Sequence, residues 1–244
     1  MPVPQAGEGG LALVLGGSGA IGQEIAQQLV RQGIRVIATY CHSSPPESPA
    51  IRWVRAEVYS GSLDALADEV ASANTILHTF IYAVGEISSK STVVETSADE
   101  WIRLFGIHCV GFTRVYRALS APLRQSRASV VAISSNAVVT RSARNGPYTA
   151  AKAALESIVE TLAVEEAPYG VRVNAIAPSL VKSPSATELL RIKGITDATQ
   201  YEKSQPWGRM LSAAEVARSA LWLALDSSMR YTTGQVIRLT ARTG

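Results

Sequence analysis

The sequence predicts an α/β protein, a single-domain Rossmann-type doubly wound parallel sheet with helices on both faces. Three observations carry this. Apolar runs of strand length alternate with stretches of helical period along the chain. The first run ends in a glycine-rich turn, Leu15-Gly-Gly-Ser-Gly-Ala-Ile-Gly22, followed at once by a helix-like pattern. No linker or composition break divides the 244 residues, so residues 1–244 are expected to form one domain.

In chain order, Leu11–Leu15 is the first strand and Ile21–Arg31 its helix. Arg35–Thr39 is the second strand, Leu63–Ala71 a helix and Ile76–Ala83 the next strand. Glu100–Leu119 has helical period, Ser129–Ser134 is a strand, Tyr148–Ala167 a helix and Arg172–Ala177 a strand. The helix Ala213–Ala224 and the strand Gln235–Leu239 complete the series. Parallel strands need crossovers, crossovers are right-handed, and the outcome is a sheet covered on both faces. The long stretch Ser179–Gly208, in which Ser, Thr, Lys and Gln surround a short helical pattern at Ala186–Lys193, reads as a substrate-covering segment.

Composition excludes several classes. Apolar residues make up 47% and charged residues 18%, as in a well-packed globule. The net charge of +3 is dispersed, without a basic block that would track nucleic acid or an anionic membrane. The start, Met1-Pro-Val-Pro-Gln-Ala, lacks the basic and apolar parts of a signal peptide, and no apolar run reaches the roughly 20 residues of a membrane span. A cytoplasmic protein is expected. Cys41 and Cys109 stand far apart without metal-ligand spacing to a His, which suggests reduced packing residues and no metal site.

Glycines at the end of a first strand let backbone N–H groups approach a pyrophosphate at a helix N-terminus. Gly16, Ser18, Gly19, Ile21 and Gly22 are therefore expected around a dinucleotide. An acid about 20 residues further on would bond the adenosine ribose and favour NAD. None is present: Ala38-Thr-Tyr-Cys-His-Ser-Ser44 carries no negative charge, and Tyr40, His42 and Ser43 offer donors to a 2′-phosphate. NADP(H) is expected rather than NAD(H).

Tyr148-Thr-Ala-Ala-Lys152 places a phenol and an ammonium on one helix face. An unperturbed tyrosine has a pKa of about 10, and a neighbouring ammonium favours the phenolate, so the pair can act as general acid and base. Ser135, thirteen residues before the tyrosine, supplies a hydroxyl where open α/β sheets bind ligands.

The glycine turn, a serine closing a central strand, Tyr-x-x-x-Lys beyond it and Arg172-Val-Asn-Ala-Ile-Ala-Pro178 together resemble the short-chain dehydrogenase/reductase family. The resemblance runs from Leu11 to Thr233-Gly-Gln-Val236 and is closest in pattern to bacterial 3-oxoacyl-carrier-protein reductases and related ketoreductases. It implies a sheet of about seven strands. It implies that Tyr148 gives a proton to a carbonyl oxygen as hydride arrives from the nicotinamide, and that Ser135 polarises that carbonyl. Lys152 is implied to lower the tyrosine pKa and bind the nicotinamide ribose. Pro178, Val181 and Ser183 match the segment that holds the carboxamide, and Glu57-Val58 the pair beside the adenine. Members are dimeric or tetrameric through the helices matching Glu100–Leu119 and Tyr148–Ala167, which implies a homodimer or homotetramer.

Several positions depart from the family pattern. Its second glycine is Ala20, and the glycine after Pro178 is Ser179. Its Asn-Asn-Ala-Gly segment reads Tyr82-Ala-Val-Gly85, so Ala83 and Gly85 keep the backbone while an amide is lost. His108 replaces an asparagine that holds a relay water for the active-site lysine, and its imidazole is expected to titrate near pH 6.5 in that relay.

The expected function is NADPH-dependent reduction of a ketone, β-ketoacyl or polyketide-like, free or bound to a carrier protein. Arg141 and Arg144 are expected at the site mouth, where they would attract an acidic carrier. An NADP-dependent dehydrogenase of a small secondary alcohol, sugar or steroid stays open, as does a non-redox protein retaining the fold. An enoyl reductase is disfavoured, because those members space Tyr and Lys more widely than four residues.

Overall fold

The computed structural model describes residues 10–42, 44–45 and 47–241. Its first half runs β1 (Leu11–Leu15), α1 (Ala20–Arg31), β2 (Arg35–Tyr40), β3 (Ile51–Arg55), α2 (Asp64–Ser72), β4 (Leu77–Tyr82), α3 (Ala98–Phe105) and α4 (Gly111–Ser126). The second half runs β5 (Ser129–Ile133), α5 (Ala137–Thr140), α6 (Gly146–Glu166), β6 (Arg172–Pro178), α7 (Pro184–Ile192), α8 (Ala198–Lys203), α9 (Ala213–Leu225) and β7 (Val236–Leu239). The strands pair in parallel as one seven-stranded sheet in the order β3-β2-β1-β4-β5-β6-β7. Strand order reverses between β1 and β4, which opens a crevice beyond their carboxyl ends.

β1 and β5 are buried along their whole length, as central strands covered on both sides must be. On one face, Leu66 of α2, Phe112 and Val115 of α4 and Leu155 of α6 pack on Leu13, Phe80 and Val130. On the other, Ile25 and Leu29 of α1 and Val216 of α9 pack on Val14, Ile81 and Val131. Among the described residues no helix is long and apolar enough to cross a membrane.

Four segments differ from the sequence expectation, the first being the short helix α5, which was not expected. Residues 51–55 form the edge strand β3, whose Ile-Arg-Trp-Val-Arg alternation hides it among loop residues. The expected helix Glu100–Leu119 is longer and interrupted: a π-helical turn, Gly106–Val110, joins α3 to α4. The 179–208 segment holds two helices, α7 and α8, where one was expected.

Candidate active site

The site is assembled at the carboxyl ends of β1, β4, β5 and β6. Gly16 has φ +73°, and a Cβ there would stand 2.7 Å from the Ala83 carbonyl oxygen. A Cβ on Gly22 would collide with the Gly16 carbonyl itself, so the start of α1 rests directly on the turn. The Gly16 N–H donates to the Thr39 hydroxyl at 3.0 Å, tying the turn to β2. No side chain caps α1, and its first helical bond is Gln23 N–H to Gly19 O at 2.8 Å. The N–H groups of Ala20, Ile21 and Gly22 precede that bond and belong to residues lining a cavity.

Two adjoining cavities meet at this turn. One of about 360 Å³ is lined by Gly16, Ser18, Tyr40, His42, Glu57 and Val58. The other, of about 510 Å³, is lined by Ile21, Gly22, Ser135, Tyr148, Lys152, Pro178, Val181 and Ser183. Gly19, Ala83 and Gly85 border both. The residues expected around a dinucleotide are thus brought together, apart from Ser43, which lies outside the described residues. A glycine cradle that a Cβ would fill, unpaired helix N–H groups and two joined cavities fit a dinucleotide. Burial pushes the Glu57 carboxyl up, but the Ser60 hydroxyl and the N–H groups of Tyr59, Ser60 and Gly61 together hold it below its ordinary value.

At the β5 end the backbone is zipped to β6 by Ser134 N–H to Ile176 O and Asn136 N–H to Pro178 O, each 2.8 Å. Ser135 is held between them, and its hydroxyl faces Tyr148, which lies in the opening turn of α6. Lys152, one turn further along α6, is buried and donates to Ile133 O at 2.8 Å. Burial pushes its ammonium down to about 7, against the pull of Cys109 and Glu156. Glu156 is held by the Ser134 hydroxyl at 2.6 Å and Arg238 at 2.8 Å.

The Tyr148 phenol is pushed up by burial, with the Ser135 hydroxyl pulling the other way. The net direction is opposite to the one expected from Lys152 alone, because burial dominates. Both groups are desolvated, and the lysine Nζ, 5.8 Å from the Tyr148 ring centroid, donates to the Ile133 carbonyl.

His108 sits in the π-helical turn, fully buried. It is absent from the residues that line either cavity and stands behind the wall, its ring 5.5 Å from that of Tyr148. Its Nε2 is 3.1 Å from Glu86 O, and since a carbonyl only accepts, the proton is on Nε2. Nδ1 is buried with no partner among the described residues. Burial and the Lys152 charge hold the imidazole well below its ordinary value, so the titration expected near pH 6.5 is displaced to the acid side.

In Tyr82-Ala-Val-Gly85 the Tyr82 hydroxyl donates to Ile107 O at 2.6 Å and ties β4 to the π-helical turn. Arg141 and Arg144 do not ring the cavity. Both adopt left-handed backbone, φ 45° and 58°, and are exposed, leaving Ser142, Ala143 and Asn145 as the wall. Cys109 donates to Ala151 O at 3.3 Å, and both cysteines are free. The residue missed in the sequence is Lys90, which lines the larger cavity with its ammonium 5.7 Å from the Tyr148 ring centroid. It sits in Ser-Ser-Lys-Ser91, a loop with no period to mark it.

A family model described as enoyl-(acyl carrier protein) reductase matches residues 16–240. A short-chain type dehydrogenase/reductase of Picea abies is 30% identical, over 95% of this chain and 91% of that protein. An L-fucose dehydrogenase of Rattus norvegicus is 28% identical, over 95% of this chain and 88% of that protein. The solved aldohexose dehydrogenase of Thermoplasma acidophilum shares the fold, with a TM-score of 0.86 at 22% identity over 95% of this chain and 92% of that one.

Proposed function

Because the chain belongs to the short-chain dehydrogenase/reductase family, whose oxidoreductases use a nicotinamide cofactor, we propose that it reduces a ketone with NADPH. The ketone is β-ketoacyl or polyketide-like, free or presented by a carrier protein. The observation that carries this is the convergence of Ser135, Tyr148 and Lys152 on one cavity beside the glycine turn. When bound, the cofactor supplies the hydride. Ser135 hydrogen-bonds the carbonyl oxygen, and the Tyr148 phenol gives it a proton. A phenol pushed up by burial is kept in the protonated form that such a donor needs. Lys152 stabilises the phenolate left behind, and proton return runs past His108, whose bare Nδ1 is an acceptor for one bridging water.

NADPH rather than NADH is supported by the uncharged rim at Tyr40 and His42. Arg55, the register partner of Tyr40, brings a cation to the neighbouring strand end. A reductase drawing on NADPH works where that cofactor is regenerated, so the proposal includes a cytoplasmic location. It also includes a homo-oligomer, in which the exposed Ile102, Val110 and Val164 around α3, α4 and α6 are covered by another copy.

A second reading, NADP-dependent oxidation of a sugar, steroid or other small secondary alcohol, is favoured by the similarity to L-fucose dehydrogenase. Enoyl reduction, named by the family description, is disfavoured by the four-residue interval from Tyr148 to Lys152. The test is NADPH oxidation against carrier-bound β-keto thioesters, enoyl thioesters, diketones and small cyclic ketones, with secondary alcohols and NADP in the reverse direction and Tyr148→Phe as control. Reduction confined to enoyl thioesters, or no turnover in either direction, defeats the proposal.

A further inference from the structure

Lys90 reaches the larger cavity from the loop after β4. Its ammonium is 5.7 Å from the Tyr148 ring centroid, and that of Lys152 is 5.8 Å away. Two ammonium groups therefore flank one phenol. Lys193, at the C-terminal end of α7, borders the same cavity.

Lys90 is held in this position. Its backbone is left-handed, φ 68°, and its Nζ donates to Asn145 Oδ1, which also accepts the Ser88 hydroxyl at 3.1 Å. That amide oxygen is neutral. The acid that pulls on Lys90 is Glu100, whose two oxygens are already taken by the Ser89 N–H and hydroxyl, each at 2.7 Å. Burial, then the charge of Lys193, push the Lys90 ammonium down to about 8. Lys90, half-buried, and Lys193, exposed, repel one another and have no ion-pair partner among the described residues, a repulsion that an anion in the cavity relieves.

From the convergence of Lys90 and Lys193 on the cavity beside Tyr148, we infer that the substrate carries a carboxylate a few bonds from its reducible carbonyl. The carbonyl oxygen meets Ser135 and Tyr148, and the carboxylate meets the two lysines. This rests on the proposal that Tyr148 is the proton donor, and it narrows the ketone to a keto acid. Cofactor phosphates account less well for Lys90, which is absent from the smaller cavity that Gly16 and Ser18 line. The phosphate of a carrier arm fits less well than the substrate's own carboxylate, because Lys90 packs beside the proton-donating ring itself.

The test uses the protein with NADPH and the ketones pyruvate, acetoacetate and levulinate, each against its methyl ester, with a pantetheine and a phosphopantetheine β-keto thioester in parallel. For at least one pair the acid is expected to exceed the ester in kcat/KM by about tenfold or more, since the ester forfeits the charge-assisted bonds. Lys90→Met is expected to collapse that ratio mainly through KM, and Lys90→Arg to restore part of it. Equal treatment of acid and ester with measurable turnover overturns the carboxylate subsite while leaving ketone reduction standing. So does turnover that depends on the arm's phosphate. If no ketone is reduced, the reading of Tyr148 fails instead, and calorimetric binding of levulinate to wild type and Lys90→Met then decides the subsite: equal or absent binding overturns it.

Discussion

The rings of His108 and Tyr148 meet almost perpendicularly, their centroids 5.5 Å apart and their planes at 88°. The contact joins the π-helical turn to the opening of α6, and it sets against the tyrosine ring a buried imidazole whose Nδ1 has no partner among the described residues. A residue added to a helical turn re-aims the side chains around it, and here it carries His108 inward.

Replacing Tyr148 by Phe removes the hydroxyl while keeping the ring that packs on His108. Ketone reduction is expected to fall by about 10²–10⁴ in kcat, the ordinary worth of a positioned general acid. NADPH binding, followed by cofactor fluorescence, is expected to survive. A variant that reduces ketones at full rate would show that the proton comes from elsewhere.

His108 gives a pH dependence whose sign can be worked out. Its folded-state pKa lies well below the ordinary value of about 6.5, so below that pH the unfolded chain binds a proton that the folded chain refuses. Stability is then lost by about 1.4 kcal/mol per pH unit on going more acid, until the folded imidazole protonates too. His108→Asn lacks this slope, and urea melts of the two proteins between about pH 4 and 7 measure the difference. His78 is pushed in the same direction by burial but is common to both proteins. Activity of His108→Asn is expected to stay substantial, with a flatter acid limb. Parallel stability profiles would place the titration elsewhere.

Much of this was legible in the sequence, and what was not has physical reasons. Leu11–Leu15 and Ser129–Ile133 announce themselves as unbroken apolar runs because both faces of a central parallel strand are buried. Ile51–Arg55 does not, since an edge strand with Arg52 and Arg55 exposed lacks that run. The Gly16–Gly22 turn and the Tyr148–Lys152 interval are local, so spacing reveals them. Lys90 meets Tyr148 only through the fold, across 58 positions of chain (148 minus 90). Arg141 and Arg144 are visible as charges, but their left-handed backbone and outward direction are not. Helix spacing likewise suggested that Lys152 depresses Tyr148, whereas burial, a property of the folded chain, sets the opposite direction.

Cofactor choice is tested at His42, on the rim of the smaller cavity. His42→Asp places a carboxylate where a 2′-phosphate is proposed to lie, and like charges repel. The NADPH Kd is expected to rise at least about tenfold, and that for NADH to change little or improve. Tighter binding of NADH than of NADPH by the wild-type protein would sink the NADP assignment outright.

Gly22→Ala puts a Cβ into the Gly16 carbonyl, a collision of a methyl with backbone that no rotamer relieves. Stability is expected to drop by about 1–3 kcal/mol, the ordinary cost of overpacking, with cofactor affinity lost as α1 is pushed off the turn. Gly33→Ala serves as the control: its φ of +76° carries strain, but the space around it is open. That variant is expected to lose about 1–2 kcal/mol and to bind cofactor normally. Equal cofactor affinity in the two variants would mean that the close approach at Gly22 is not what shapes the site.

Lys152 gives a pH slope of the same sign as that of His108, in a more alkaline window. Burial lowers its folded-state pKa to about 7, whereas the unfolded chain titrates near the ordinary value of about 10.4. Between those limits the unfolded chain holds one more proton, so stability rises with pH by about 1.4 kcal/mol per unit, and the full penalty of burying the ammonium is felt below pH 7. Lys90, pushed down to about 8, adds a slope of the same sign over a narrower window. Lys152→Met removes the Lys152 slope but also leaves Ile133 O without its donor, a loss that does not vary with pH. The stability difference between wild type and Lys152→Met is therefore expected to change steadily from about pH 7 to 10 in favour of wild type. A difference that stays constant across that range would show that the ammonium is solvated after all, and that the cavity beside Tyr148 is wetter than its walls indicate.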